Sequence, residues 1–305
     1  MNISTVKFKN LVWLNITDPT EKEIEYLRKK YRFHALDLED CLSENERPKI
    51  DEYEKYLFLI LHFPVLNKRT NRIETEELDI FIGPKYLITI HHNRLKPLME
   101  MFEGCQKSLR TRKSLFSAGT GYLFYQMIDA VFDYCFPLLD NINSEIKELE
   151  KDIFEEVAEK DSLYDIMSLK RKIINFERII VPQRPVIVTL EHKHKSFLPE
   201  NMEVYFDDVV DKIEKIWNTL KTHKEVVDAL GQANESMISH NINNVMKILT
   251  IFSVIMLPLT FLTGLYGMNV MLPLDRNPDT FWMMIGLMGL VVVTMLVVFR
   301  WKKWL

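Results

Sequence analysis

The rhythm of apolar and polar residues changes several times along the chain. In its first part, short apolar runs are punctuated by Gly, Pro or Asn: LVWLNIT at 11–17, YEKYLFLILHFPV at 53–65, LDIFIG at 78–83 and KYLITIH at 85–91. Runs this short, rich in β-branched and aromatic residues, read as strands. They alternate with helical patterns at Pro19–Lys30 and Ala35–Leu42. From about Leu115 to Glu159 the spacing becomes helical, and eight acids face three lysines between Glu145 and Asp161, which suits a solvated helix face.

No proline interrupts the chain between Pro199 and Pro258, and Val209, Ile213, Ile216, Leu220, Val227 and Leu230 recur at intervals of three, four or seven. This predicts one helix from Glu200 to Leu265, ~100 Å long, with Gly231 the weak point of its soluble half. Farther on, the same face becomes Asn234, Met237, Asn241 and Asn244. Beside it, Asn243, Met246, Leu249, Ser253, Leu257, Thr260, Gly264 and Gly267 recur at three or four. A face of amides and small residues suits several copies of the helix around water; packing through small residues is the plainer alternative.

Residues 248–266 and 281–299 carry no charge, and each run is long enough to cross a bilayer core of ~30 Å. Together they predict a helical hairpin through a membrane. Lys247 precedes the first run and Arg300, Lys302 and Lys303 follow the second, against Arg276 alone in the connecting loop. The excess of basic residues places both termini in the cytoplasm of a plasma (inner) membrane. Trp282, Trp301 and Trp304 fall where interfacial aromatics belong.

Composition narrows the function. A net charge of -4 gives no bulk electrostatic case for nucleic acid. No GxxxxGK[ST] stretch occurs among the nine glycines, so no nucleotide is expected. Cys41, Cys105 and Cys135 lack zinc or disulfide spacing, and no nucleophile and base stand together as an enzyme would require. His91 with His92, and His192 with His194, lack the partners of a zinc site.

Between the two spans lies Gly267-Met268-Asn269. Read with VMKILTIFSVIMLPLTFLTGLYGMN at 245–269 and the terminal KKWL, this triplet resembles the CorA family of divalent-cation channels. The likeness extends to WLNIT at 13–17, LDLEDCLSENERPKIDEYEKYLFLIL at 36–61, YLFYQMIDAVFDYCFPLLDNINSEI at 122–146 and YFDDVVD at 205–211. Only an N-terminal extension of longer members lacks a counterpart.

The resemblance implies an α+β protein: a homopentameric funnel of cytoplasmic αβα domains, a long stalk helix, and a C-terminal two-helix transmembrane hairpin. The corresponding divisions are an α/β sheet domain at 1–114, an acidic helical hairpin at 115–199 and the stalk at 200–247. A pore-lining span at 248–266, an external loop at 267–280, a second span at 281–299 and a basic tail at 300–305 follow. It implies passive uptake, driven by membrane potential, of hydrated Mg²⁺ and by extension Co²⁺ or Ni²⁺. Gly267, Met268 and Asn269 would form the selectivity filter, with Asn243, Met246, Leu249, Leu257 and Thr260 lining the pore and its gate. Asp40, within LED, and Asp208, within YFDD, match carboxylates that hold a regulatory Mg²⁺ between subunits; Asp211, one turn on, is a further candidate.

The chemistry is coherent. Mg²⁺ surrenders water reluctantly, so neutral amide and carbonyl oxygens can greet its hydration shell without trapping it. The sequence departs from the family after the triplet, where many members carry MPEL; here VMLPLDRNPDTFW has no glutamate, leaving Asp275 and Asp279 as substitutes. A zinc-transporting branch also keeps the triplet and is one alternative. A non-conducting, membrane-anchored coiled-coil scaffold or sensor is another.

Overall fold

The computed structural model describes residues 1–43, 46–154, 162–191, 195, 197–198, 202–268 and 279–304. It divides into two units, Met1–Gly231 and Gln232–Leu305. The helices are α1 (Glu21–Tyr31), α2 (Ala35–Asp40), α3 (Lys96–Lys107), α4 (Leu109–Phe116), α5 (Thr120–Asp133), α6 (Cys135–Phe154), α7 (Ser162–Ile180), α8 (Gln183–Glu191), α9 (Met202–Tyr266) and α10 (Thr280–Trp301).

In the first unit, strands β1 (Ile3–Phe8), β2 (Leu11–Thr17), β3 (Lys49–Glu52), β4 (Leu57–Asn67), β5 (Arg72–Gly83) and β6 (Tyr86–His91) form a sheet ordered β1-β2-β6-β5-β4-β3. Neighbours are antiparallel except β2 and β6, which run parallel with Val12 opposite Tyr86. Leu57 to Leu61 are wholly buried because both faces of the sheet are covered, so β4 reads as a continuous apolar run rather than an alternation. On one face Phe58 and Ile60 join Leu14, Ile16, Phe81 and Ile88 in a core shared with Ile24 and Leu27 of α1 and Leu38 of α2. On the other, Trp13 meets Phe102 of α3 edge-on at 5.0 Å, and Phe63 meets Phe132 of α5 at 5.1 Å. The result is an αβα sandwich with a mixed sheet.

A buried polar chain crosses that second face. Trp13 Nε1 donates to Thr89 Oγ1 at 3.1 Å, and the Thr89 hydroxyl donates to Asn15 Oδ1 at 2.6 Å. His91 Nε2 lies 3.0 Å from the same Asn15 oxygen, while His91 Nδ1 accepts from the Asn93 amide at 3.0 Å. Those partners fix the neutral tautomer with its proton on Nε2. Burial, reinforced by the charge of His92, pushes the His91 pKa down to about 4.

The helix α9 begins at Met202 and ends at Tyr266, close to the predicted limits. Val209, Ile213, Ile216, Leu220, Val227 and Leu230 are all buried, as their spacing requires. His223 fills the slot between Leu220 and Val227, and its Nδ1 has no hydrogen-bond partner. Ion pairs from Lys170 to Asp228 at 2.6 Å and from Arg184 to Glu214 at 2.7 Å tie this part of α9 to α7 and α8.

The second unit holds the remainder of α9 and α10. Both helices are long and apolar enough to cross a membrane, and only 6 % of each apolar window is buried, unlike the core helix of a soluble protein. Lys247 Nζ donates to Lys303 O at 3.4 Å, which sets the start of one apolar run beside the end of the other, as in a hairpin. Ile251 and Met284 are the buried side chains among the described residues of this unit.

Candidate functional site

Two stripes divide α9 within the second unit. Lys247, Ile251, Ile255, Pro258, Leu259 and Leu262 are partly or wholly covered. Asn243, Met246, Leu249, Ser253, Leu257, Thr260 and Gly264 are exposed, Leu257 at 72 %. At ~100° per residue the two sets are centred roughly 150° apart, so the candidate pore residues lie opposite the covered stripe, within a wider exposed surface that also takes in Ile248, Phe252 and Phe261.

The hydroxyls on this helix are oriented by its own backbone. Thr250 donates to Met246 O at 2.7 Å, Ser253 to Leu249 O at 2.9 Å and Thr260 to Met256 O at 2.9 Å. With the proton committed inward, each oxygen presents lone pairs outward. Thr260 and Ser253 are therefore acceptors opposite the covered stripe, suited to cations or to the protons of a cation's water.

The helix stops at Gly267, whose amide donates to Thr263 O at 2.9 Å. Its φ is not in the left-handed region; a Cβ there would stand 3.0 Å from Thr263 O, a tight contact that this carbonyl would have to relieve by a few tenths of an ångström. Met268 is exposed. Asn269 lies outside the described residues, as do Asp275, Arg276, His192 and His194.

The candidate regulatory acids lie in the first unit. Asp40 ends α2, and that short helix is pinned to the connection between β3 and β4 by Asp37, which accepts from Tyr53 OH at 2.7 Å and Tyr56 OH at 2.8 Å. Burial raises the Asp37 pKa despite both phenols. Asp40 Oδ2 accepts from Lys49 Nζ at 2.6 Å, and the same ammonium lies 3.2 Å from Asp51. Asp208 on α9 is exposed, with Lys212 Nζ at 3.8 Å; that ammonium is bonded to Asp129 and lies 2.8 Å from Asp133. Asp211 is exposed.

Hard carboxylate oxygens suit Mg²⁺, which wants ligands at ~2.1 Å. Among the described residues, no three His, Cys, Asp or Glu side chains converge to hold an ion, and no hydrogen bond or ion pair joins Asp40 to Asp208. Both lysines escaped the sequence reading, since nothing local links residue 49 to 40 or 212 to 129. His91 is a structural histidine, and exposed His92 pairs with Asp18 at 3.3 Å.

Comparison with known proteins agrees over almost the whole chain. A family profile described as CorA-like Mg²⁺ transporter protein matches residues 8–303. The cobalt/magnesium transport protein CorA of Thermotoga maritima is 30% identical over 308 residues, covering 99% of this chain and 84% of that protein. The protein of the same name from Methanocaldococcus jannaschii is 28% identical over 302 residues, covering 97% and 92%. The complete structure of the CorA magnesium transporter from Methanocaldococcus jannaschii matches with a TM-score of 0.85 at 27% identity, covering 98% of this chain and 94% of that one. With its αβα sheet unit, its long helix and its two apolar C-terminal helices all matched, the chain belongs to the CorA-like Mg²⁺ transporter family of divalent-cation transporters, not to an enzyme family.

Proposed function

We propose that five copies of this chain surround a pore through which hydrated Mg²⁺ enters the cytoplasm passively, Co²⁺ and Ni²⁺ being further cargo. The observation that carries this reading is the position of uncharged acceptors on α9 opposite its covered stripe. A ring of Asn269 side chains at the outer end, beside Gly267 and Met268, would receive the ion's water. Met246 and Leu249, five of each, would form an apolar constriction that opens by wetting. Asn243, Leu257 and Thr260 would line the rest.

Voltage supplies the driving force. A divalent ion entering a negative interior gains roughly 4.6 kcal/mol per 100 mV, twice the single-charge value, so no nucleotide is required. The pairing of Lys247 with Lys303 gathers the basic flanks at one end of the hairpin, which supports cytoplasmic termini in a plasma membrane. Asp40 of one subunit and Asp208 of the next, with Asp211 nearby, would bind cytoplasmic Mg²⁺ and hold the closed ring; loss of the ion would let like charges part the subunits.

The test is metal-resolved uptake into proteoliposomes under an imposed inside-negative potential. Mg²⁺ flux should grow with voltage and collapse in Asn269→Ala. Voltage-independent flux, or reconstitution as a monomer or dimer, refutes the proposal.

A further inference from the structure

The two candidate regulatory carboxylates each already face a cation of their own chain. Lys49 Nζ bonds Asp40 Oδ2 at 2.6 Å and stands 3.2 Å from Asp51. Two carboxylates against one ammonium leave this cluster a net charge of -1. Lys212 Nζ is bonded to Asp129, lies 2.8 Å from Asp133 and 3.8 Å from Asp208. Three carboxylates against one ammonium leave -2.

The contacts differ in kind. Asp40 is 18 % exposed and hydrogen-bonded, so an ion must displace Lys49 from its carboxylate or share that carboxylate with it. Asp208 is 56 % exposed and too far from Lys212 for a hydrogen bond, so it is free to ligate yet sits in the field of a positive charge.

We propose that Lys49 and Lys212 are tethered counter-cations that set the Mg²⁺ threshold of the regulatory site: positioning residues that weaken divalent binding to Asp40 and Asp208. This rests on the regulatory reading of those two acids given above. When Mg²⁺ is scarce the ammonium groups keep the carboxylates solvated and oriented without an ion. When Mg²⁺ rises, it must overcome their repulsion. A unit charge ~5 Å from a divalent ion in water-like surroundings shifts affinity by about tenfold.

The experiment is Mg²⁺-dependent protection of the purified full-length protein from chymotrypsin, which does not cut at lysine, titrated at constant ionic strength. Lys49→Gln and Lys212→Gln should each lower the half-protecting Mg²⁺ concentration about tenfold, while Lys49→Arg and Lys212→Arg leave it near the parent value. The two lysines lie on separate elements, β3 and α9, so a variant that fails to fold leaves the other to decide. If the lysines are only structural struts, the Gln variants raise the midpoint or leave it unchanged, and the inference is overturned. Asp40→Asn and Asp208→Asn separate the two claims. If neither weakens protection, the carboxylate reading itself falls and takes this inference with it; if both weaken it and the Gln variants still fail to lower the midpoint, only the lysine inference falls.

Discussion

Lys172 gives the most demanding test of how the first unit is held together. It lies on the inner face of α7 with its side chain 3 % exposed, and its ammonium bonds Glu145 Oε1 at 2.6 Å, Glu145 Oε2 at 2.7 Å and Asn71 Oδ1 at 3.0 Å. Glu145→Gln keeps the shape and removes the balancing charge, so a buried ammonium is left with neutral acceptors only, Asn71 Oδ1 and the amide oxygen at position 145. Breaking a buried pair in this way costs ~3–5 kcal/mol, and because Glu145 is itself 30 % exposed, water can reach the site and bring the cost towards ~2–3 kcal/mol. In a unit of this size that corresponds to a fall of roughly 5–10 °C in the melting temperature, read from tryptophan fluorescence of the purified protein. Lys172→Met alone should cost less, and the double variant Lys172→Met/Glu145→Gln should recover most of the loss, since no charge is left buried. A Glu145→Gln protein that melts within 1 °C of the parent, or a double variant less stable than either single one, refutes the account.

Two further outcomes follow from the same reasoning. His91 is neutral in the fold, with its pKa lowered from 6.5 to about 4, so between those values the unfolded chain binds the extra proton and stability rises with pH. Acidifying from pH 6.5 to 4 should remove up to ~3 kcal/mol, and His91→Gln should flatten that part of the profile in melting curves; a profile left unchanged would contradict the assignment. Thr260→Val preserves shape but removes the outward-facing oxygen, so Mg²⁺ flux in proteoliposomes should fall while Thr260→Ser keeps it; equal flux in Thr260→Val would take this residue out of the pathway.

What the chain discloses before it folds depends on how local each signal is. The β4 run LFLIL and the stripe from Val209 to Leu230 announce themselves because burial on both faces, or along one helix face, leaves a periodic apolar trace. The strands β1 and β3 left no such trace: ISTVKF and KIDE lie at the sheet edges and carry the polar residues that edges tolerate. Helices α3 and α4 were also missed; in α4 the basic run LRTRKSLF buries only Phe116. At the candidate site, the resemblance brought Asp40 and Asp208 forward, yet the contact of Lys49 with Asp40 and those of Lys212 with Asp129 and Asp133 are made only by the tertiary fold, while Lys212 stands one helical turn from Asp208. Gly267 was legible as a special position, but its φ is ordinary and the space beside it is tight against Thr263 O.

The lone parallel pairing of the sheet has a consequence for biosynthesis. Val12 of β2 is matched to Tyr86 of β6, so an apolar strand made near the beginning must wait for one made much later before its ladder can close. Once β6 has left the ribosome, more than 150 residues separate it from the first bilayer-spanning run, and at ordinary translation speed those take roughly ten to thirty seconds to synthesise. That interval lets the sheet seal its own sticky surface before the hydrophobic tail reaches the insertion machinery, and it marks the early chain as the stage when a chaperone is needed most.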